Sequence, residues 1–189
     1  GEAAFGKDGA METILQAREQ SKIRHIGFSA HTTRAALAAM EKAYTVDVAG
    51  SKVGWTGTML GGKSHNGTVN LTEGSFGVKG GALTGGKFVI DMKSVAALDT
   101  NYAKDDAKQG TRAMLLCHLA SPDVFAVDSF PTATFEIAAV EGNTATGKLT
   151  VRGKSNDEKV TDIVITEENG VAKASGKLSF DRQKYNVKW

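Results

Sequence analysis

Residues 57–72 read GTMLGGKSHNGTVNLT, and the fold turns on how that stretch is understood. Its first half, Gly57 to Ser64, satisfies G-x-x-x-x-G-K-S/T, the pattern of a phosphate-cradling loop. Such a loop works only between a strand and a helix, because the first backbone amides of the helix hold the phosphate. KVGWT, just before it, alternates as a strand does. After Lys63, however, the chain runs through His65-Asn66-Gly67 straight into TVNLT, another alternating run, and Asn-Gly in that setting signals a hairpin. With no helix to receive a phosphate, Gly57 to Ser64 is a hairpin arm and its turn.

Outward from there the same period of two persists from Tyr44 to the end. YTVDV, KVGWT, TVNLT, SFGVK, KFVIDMK, TATFEI, KLTVR, DIVIT and KLSFD place apolar residues on alternate positions, with Thr, Lys, Asp or Glu between them. Ala49-Gly50, His65-Asn66-Gly67, Gly80-Gly81, Glu141-Gly142-Asn143, Asn169-Gly170 and Ser175-Gly176 supply turn signals between the runs. Short alternating strands joined by tight turns predict an antiparallel meander with one apolar face, which rolls up because closure hides its edges. Gly85-Gly86 marks a bulge where the apolar parity shifts between Leu83 and Phe88. One helix interrupts the pattern, over residues 104–120, carrying Met114, Leu115, Leu116 and Leu119. The fold class expected is all-β: an antiparallel barrel with one inserted helix.

Residues 11–42 have a different texture. METILQAREQ and HTTRAALAAMEK carry helical spacing on either side of KIRHIGFSA, a short β-prone run. A helix–strand–helix unit of this kind belongs to parallel α/β architecture. The chain is therefore divided near Lys42, into 1–42 and 43–189. GFSAH in the first part comes near the G-x-S-x-G nucleophile elbow but lacks its second glycine; His31 serves a helix start equally well.

Composition narrows the function. Of 189 residues, 41% are apolar, enough for a real core, and the formal charge of +2 gives no basic surface for nucleic acid. Cys117 is the single cysteine and the four histidines show no ligand spacing, which removes internal disulfides and the common zinc patterns. No apolar run approaches the length of a spanning helix. GEAAFGKDGAMETILQ has acids where a secretion leader has a basic stretch, and no initiator Met, as in a piece of a longer reading frame. Asp105-Asp106 and Glu167-Glu168 are adjacent acids in polar, exposed settings, so no catalytic carboxylate pair is expected.

Residues 43–189 resemble the YceI-like family of lipocalin-type, polyisoprenoid-binding proteins. The likeness rests on YTVDVAGSKVGWTG, HNGTVNLTEGSF, LTGGKFVIDMKSV, HLASPDVFAVDSFPTATFEI, GKLTVRG and SFDRQKYNVK, in that order. Two departures stand out: KSND follows Gly153 in place of a proline-bearing turn, and the family's final strand, which closes the barrel, is expected to be missing after Trp189, leaving the barrel open. An unpaired sheet edge near Ser179 to Val187, favouring self-association, is the corresponding expectation. Residues 1–42 are similar instead to a short stretch of the aldo/keto reductases. The position matching Ser29 there helps hold a nicotinamide, so the alternative function is an NADP-dependent oxidoreductase fragment. It would be inactive, because that family's catalytic residues precede the matched stretch.

The main resemblance implies a non-enzymatic, periplasmic carrier of a polyprenyl chain or isoprenoid quinone, needing no cofactor or metal and having no nucleic-acid partner. The inward face then forms the binding surface: Trp55, Val69, Leu71, Phe76, Phe88, Ile90, Met92, Phe135, Ile137, Leu149, Val151, Ile163, Ile165, Leu178 and Phe180, with Leu115 and Leu119 from the helix and Phe125 after it. Met92 and Met114 adapt to irregular shape. Lys63, Lys87 and Arg182 are the candidate head-group contacts, and Arg182 with Tyr185 would order the rim; Asp181 pairing with Arg182 is the plainer reading. The same apolar residues would equally make a filled core with an interaction role only.

Overall fold

The structure, a computed structural model, describes residues 40–58 and 63–188. Ser29, the GFSAH stretch and all of the expected helix–strand–helix unit before Met40 lie outside those residues; residues 40–42, expected to end its second helix, are not helical, and Lys42 opens the first strand. Eight strands follow in chain order: β1 (Lys42–Thr45), β2 (Val53–Thr58), β3 (Ser64–Lys79), β4 (Ala82–Ala97), β5 (Thr132–Glu141), β6 (Thr144–Val151), β7 (Lys154–Glu168) and β8 (Val171–Leu178). Helix α1 (Arg112–Ala120) sits between β4 and β5, and a 3-10 helix (Arg182–Tyr185) follows β8. Every pairing is antiparallel along β1-β3-β4-β5-β6-β7-β8, with β2 also on β3, and the sheet curls into a nearly closed barrel.

The stretch that posed the nucleotide question is a hairpin. Val53 pairs with Val69 and Thr58 with Ser64, so β2 leads into β3 with no helix after Lys63. The turn, however, is not at Asn66-Gly67, which lies inside β3. Gly67 is needed there for close approach. A Cβ on it would strike the carbonyl oxygen of Ala96 and stand 2.7 Å from the Trp55 ring. Ser175-Gly176 is likewise within β8, where a Cβ on Gly176 would lie 2.7 Å from Val160. Both glycines were misread as turns for the same reason: a missing side chain serves packing as well as it serves a bend.

Other expected runs shift too. TVNLT and SFGVK are one strand, β3, so nine runs give eight strands. YTVDV breaks at Thr45 because the Asp47 carboxylate accepts from the amides of Ala49 and Gly50 at 3.1 Å, an Asx turn. The chain then resumes as β2 along the same flank of β3. The bulge beside Gly85 is present: Gly77 pairs with Gly85 and Val78 with Leu83, leaving Thr84 as the extra residue. Residues 154–157, expected as a turn, open β7 instead, because Arg152 (φ 50°) and Gly153 (φ 68°) already make the left-handed pair of a tight hairpin. The helix is shorter than 104–120. Gly110 (φ 77°) stops any earlier turn, and the Thr111 hydroxyl accepts from the Met114 amide as N-cap.

The sheet's two free flanks are β8 on one side and β1 with β2 on the other. The open edge thus falls at Val171–Leu178 rather than at Ser179 to Val187, where the chain leaves the sheet for the 3-10 helix. Lys173 and Lys177 line that edge and blunt it against further pairing.

Candidate functional site

Inside the barrel the alternation gathers two apolar clusters. Val124, Ala133, Phe135, Leu149, Val151, Tyr185 and Val187 form one, with Phe88, Ile90, Met92, Leu119, Phe125, Ile137 and Leu178 packed on it. Phe76, Val78, Leu83 and Ala145 form the other, joined by Tyr44, Val46, Ile163, Ile165 and Ala172. Phe88, Ile137 and Val160 belong to both and make the waist between them. Phe88, Ile90, Met92, Ile137, Ile163, Ile165 and Leu178 are only partly buried.

Most expected lining residues therefore come together, and a few do not. Trp55 is half-buried and reaches over Gly67 so that its indole N–H donates to the Ala96 carbonyl at 3.1 Å. Val69 is buried and Leu71 half-buried, but neither joins the two clusters, nor does Leu115 on α1. Phe180 is a correction. It follows the end of β8, is 39% exposed, and meets the Tyr185 ring edge-on at 5.3 Å. Met114 also faces outward, at 46% exposure. Lys87 is exposed opposite Glu136, 4.0 Å away, on the outer face. Arg182 donates to the Val187 carbonyl at 3.3 Å, and Asp181 caps the 3-10 helix through the Gln183 amide, so these neighbours form no pair and no rim contact.

Tyr185, expected at the rim or a strand end, is wholly buried. Its hydroxyl donates to Glu158 Oε1 at 3.0 Å, and the Lys184 ammonium lies 3.4 Å from the same oxygen. Burial first, and then the Glu158 bond, push the Tyr185 phenol above its ordinary range. Glu158 is the residue that reading the sequence missed. It pairs with Gly147 and lies in phase with Val160, on the interior face, and is 8% exposed. The parity of residues 156, 158 and 160 would have found it, had KSND not been set aside as a turn.

Two polar groups brace the barrel's ends. Tyr44, stacked on Phe76 at 5.5 Å, donates to Glu167 Oε1, and Lys42 donates to the same oxygen at 2.9 Å. These bonds tie β1 to β7 across the unladdered gap, so Glu167 is no idle surface acid. They hold its carboxyl below its ordinary range, the Tyr44 bond above all. At the start of β3, His65 Nδ1 lies 2.7 Å from Asp99 Oδ2, while the Tyr102 hydroxyl and the Asn66 amide donate to Asp99 Oδ1 at 2.7 and 3.2 Å. Arg112 donates to the Ala97 carbonyl and adds α1 to the brace. Burial opposes ionisation of Asp99, but the bonds from His65, Tyr102 and Asn66 outweigh it and draw its carboxyl down to about 2. A lowered carboxyl releases its proton more readily when folded, so its contribution is present above the ordinary carboxylate range. It is lost as pH falls through that range toward about 2. Thermal melts across acid pH should show Asp99→Asn losing stability less steeply than the parent; parallel slopes would deny Asp99 this part.

The cleft at the β7–β8 turn, about 540 Å³ and bounded by Thr166, Glu167, Glu168, Asn169, Val171 and Lys173, is mixed in polarity and open. A smaller one lies beside Arg182, Gln183, Asn186, Val187 and Lys188. Among the described residues no three metal-ligating side chains converge, and no helix is long and apolar enough to cross a membrane.

Comparison with known proteins follows the same lines. Residues 44–189 match the model of the YceI-like domain. The chain is similar to the crystal structure of BcnA from Burkholderia cenocepacia, with a TM-score of 0.53 and 23% identity over 75% of this chain and 84% of that one. It is also similar to a mutant CJ YCEI protein solved with a monobromobimane guest, with a TM-score of 0.41 and 15% identity over 86% and 75% of the two chains. No curated protein matches. The likeness of residues 1–42 to aldo/keto reductases gains no support.

Proposed function

This chain belongs to the YceI-like family, and we propose on that footing that its barrel sequesters one isoprenoid lipid, a polyprenyl chain or an isoprenoid quinone. The observation that carries the reading is an apolar inner face whose side chains are only partly buried. Phe88, Ile90, Met92, Ile137, Ile163, Ile165 and Leu178 come from four strands, β4, β5, β7 and β8, and pack with the two apolar clusters yet are only partly buried. Branched and aromatic walls suit a methyl-branched chain. Each methylene taken from water is worth ~0.8 kcal/mol, so ten buried carbons give roughly 8 kcal/mol, above the several that association and ordering cost. Binding of this kind needs no catalytic group; the role is carriage or storage, in the periplasm.

Organic extraction of the purified protein, followed by mass spectrometry, tests this. A prenyl species should be recovered in near-stoichiometric amount, and delipidated protein should take up geranylgeraniol again. Repeated absence of any prenyl species together with failed reloading would leave the second reading. In that reading the barrel is a filled core with an interaction role, favoured by the way Phe88, Ile137 and Val160 knit the two clusters together.

A further inference from the structure

A carboxylate inside an apolar barrel is costly unless something binds it. Glu158 is more than nine-tenths buried. It stands on the inner face of β7, opposite Gly147 on β6, with Leu149 and Val160 beside it. Gly147 offers no side chain to cover it, and none would fit: a Cβ there would be 2.8 Å from the Phe135 ring. Both of the carboxylate's hydrogen bonds, from Tyr185 and Lys184, fall on Oε1. Oε2 takes none, nor is it among the polar atoms sealed away from solvent. One strong acceptor oxygen of an inner-face side chain is therefore unspent, while the Lys184 ammonium is already committed to the other oxygen.

We propose that Glu158 Oε2 receives a hydroxyl at the end of the bound chain, so that the barrel selects an isoprenoid alcohol over an ether or a phosphate of the same chain. This rests on the lipid-binding reading above. An ionised carboxylate only accepts hydrogen bonds. A hydroxyl gives it one; a methyl ether has no proton to give and would leave Oε2 unsatisfied. A phosphate would bring like charge against it where water screens poorly.

Competition by geranylgeraniol, geranylgeranyl methyl ether and geranylgeranyl phosphate against a fluorescent apolar probe on the delipidated full chain tests the proposal. The alcohol should compete about tenfold better than either of the others, the scale of a hydrogen bond to a charged acceptor. In Glu158→Gln the amide oxygen keeps the Tyr185 bond and the NH₂ turns a donor toward the bore, so the ether should bind as well as the alcohol or better. Head groups ranked equally by the parent would overturn this proposal and leave the lipid reading standing; failure of all three to compete would fell both. The parent's ranking decides the matter even if the variant does not fold.

Discussion

Tyr185→Ala should lower stability by about 5 kcal/mol, a large part of what a domain of this size has in reserve. The ring is wholly buried in the cluster of Val124, Phe135, Leu149, Val151 and Val187, and removing it leaves a cavity that β-strands on three sides cannot collapse into. Loss of the hydroxyl adds a second cost, because Glu158 Oε1 keeps only the half-exposed Lys184 as partner. The ends of the chain segments meet at this point as well. Arg152 donates to the carbonyls of Asn186 and Pro122, and the Lys188 amide donates to the Asp123 carbonyl at 3.0 Å. Freeing Tyr185 therefore loosens both the 3-10 helix and the loop after α1. At roughly 2–4 °C per kcal/mol, the thermal midpoint should drop by about 10–20 °C. Tyr185→Phe isolates the hydroxyl and should cost only about 1–2 kcal/mol. Melts in which the alanine and phenylalanine variants behave alike would contradict the assignment of most of the effect to the ring.

The sequence made the barrel legible because alternation is a long-range-free signal: Phe135, Ile137, Leu149 and Val151 had to share a face whatever their partners were. Ends of elements were harder. Asp47 breaks a run that reads as one strand, and Thr111 starts a helix later than its apolar spacing begins, since both effects come from one side chain capturing a backbone amide. Glycines were ambiguous for a different reason. Gly80-Gly81 turns the chain, but Gly67 and Gly176 admit a neighbouring strand's atoms, and only the paired strand tells which. Which apolar side chains of the strands cluster together could be read from parity. Phe180 could not, because its strand ends two residues earlier, and the pairing of Tyr185 with Glu158 joins positions far apart in sequence by a single hydroxyl.

Whether the waist is open or full decides between carrier and filled core, and Ile137→Phe turns that into a measurement. Ile137 is half-buried, packs with both clusters, and faces Gly147, so its row across β5 and β6 is short of side-chain volume. If the bore has room for a hydrocarbon, the larger ring occupies that room, and the empty protein loses little or even gains stability from added contacts. The ligand then loses its path between the two clusters. Denying it half of a ten-carbon stretch removes about five methylenes, ~4 kcal/mol, or roughly a thousandfold in affinity. If side chains already fill the waist, the same ring must displace Phe88 or Val160, and overpacking costs about 1–3 kcal/mol instead. Stability and uptake of geranylgeraniol thus move in opposite senses under the two readings. A phenylalanine variant that melts with the parent yet no longer loads is the outcome expected here; one that melts earlier and loads no differently would assign the interior to packing alone.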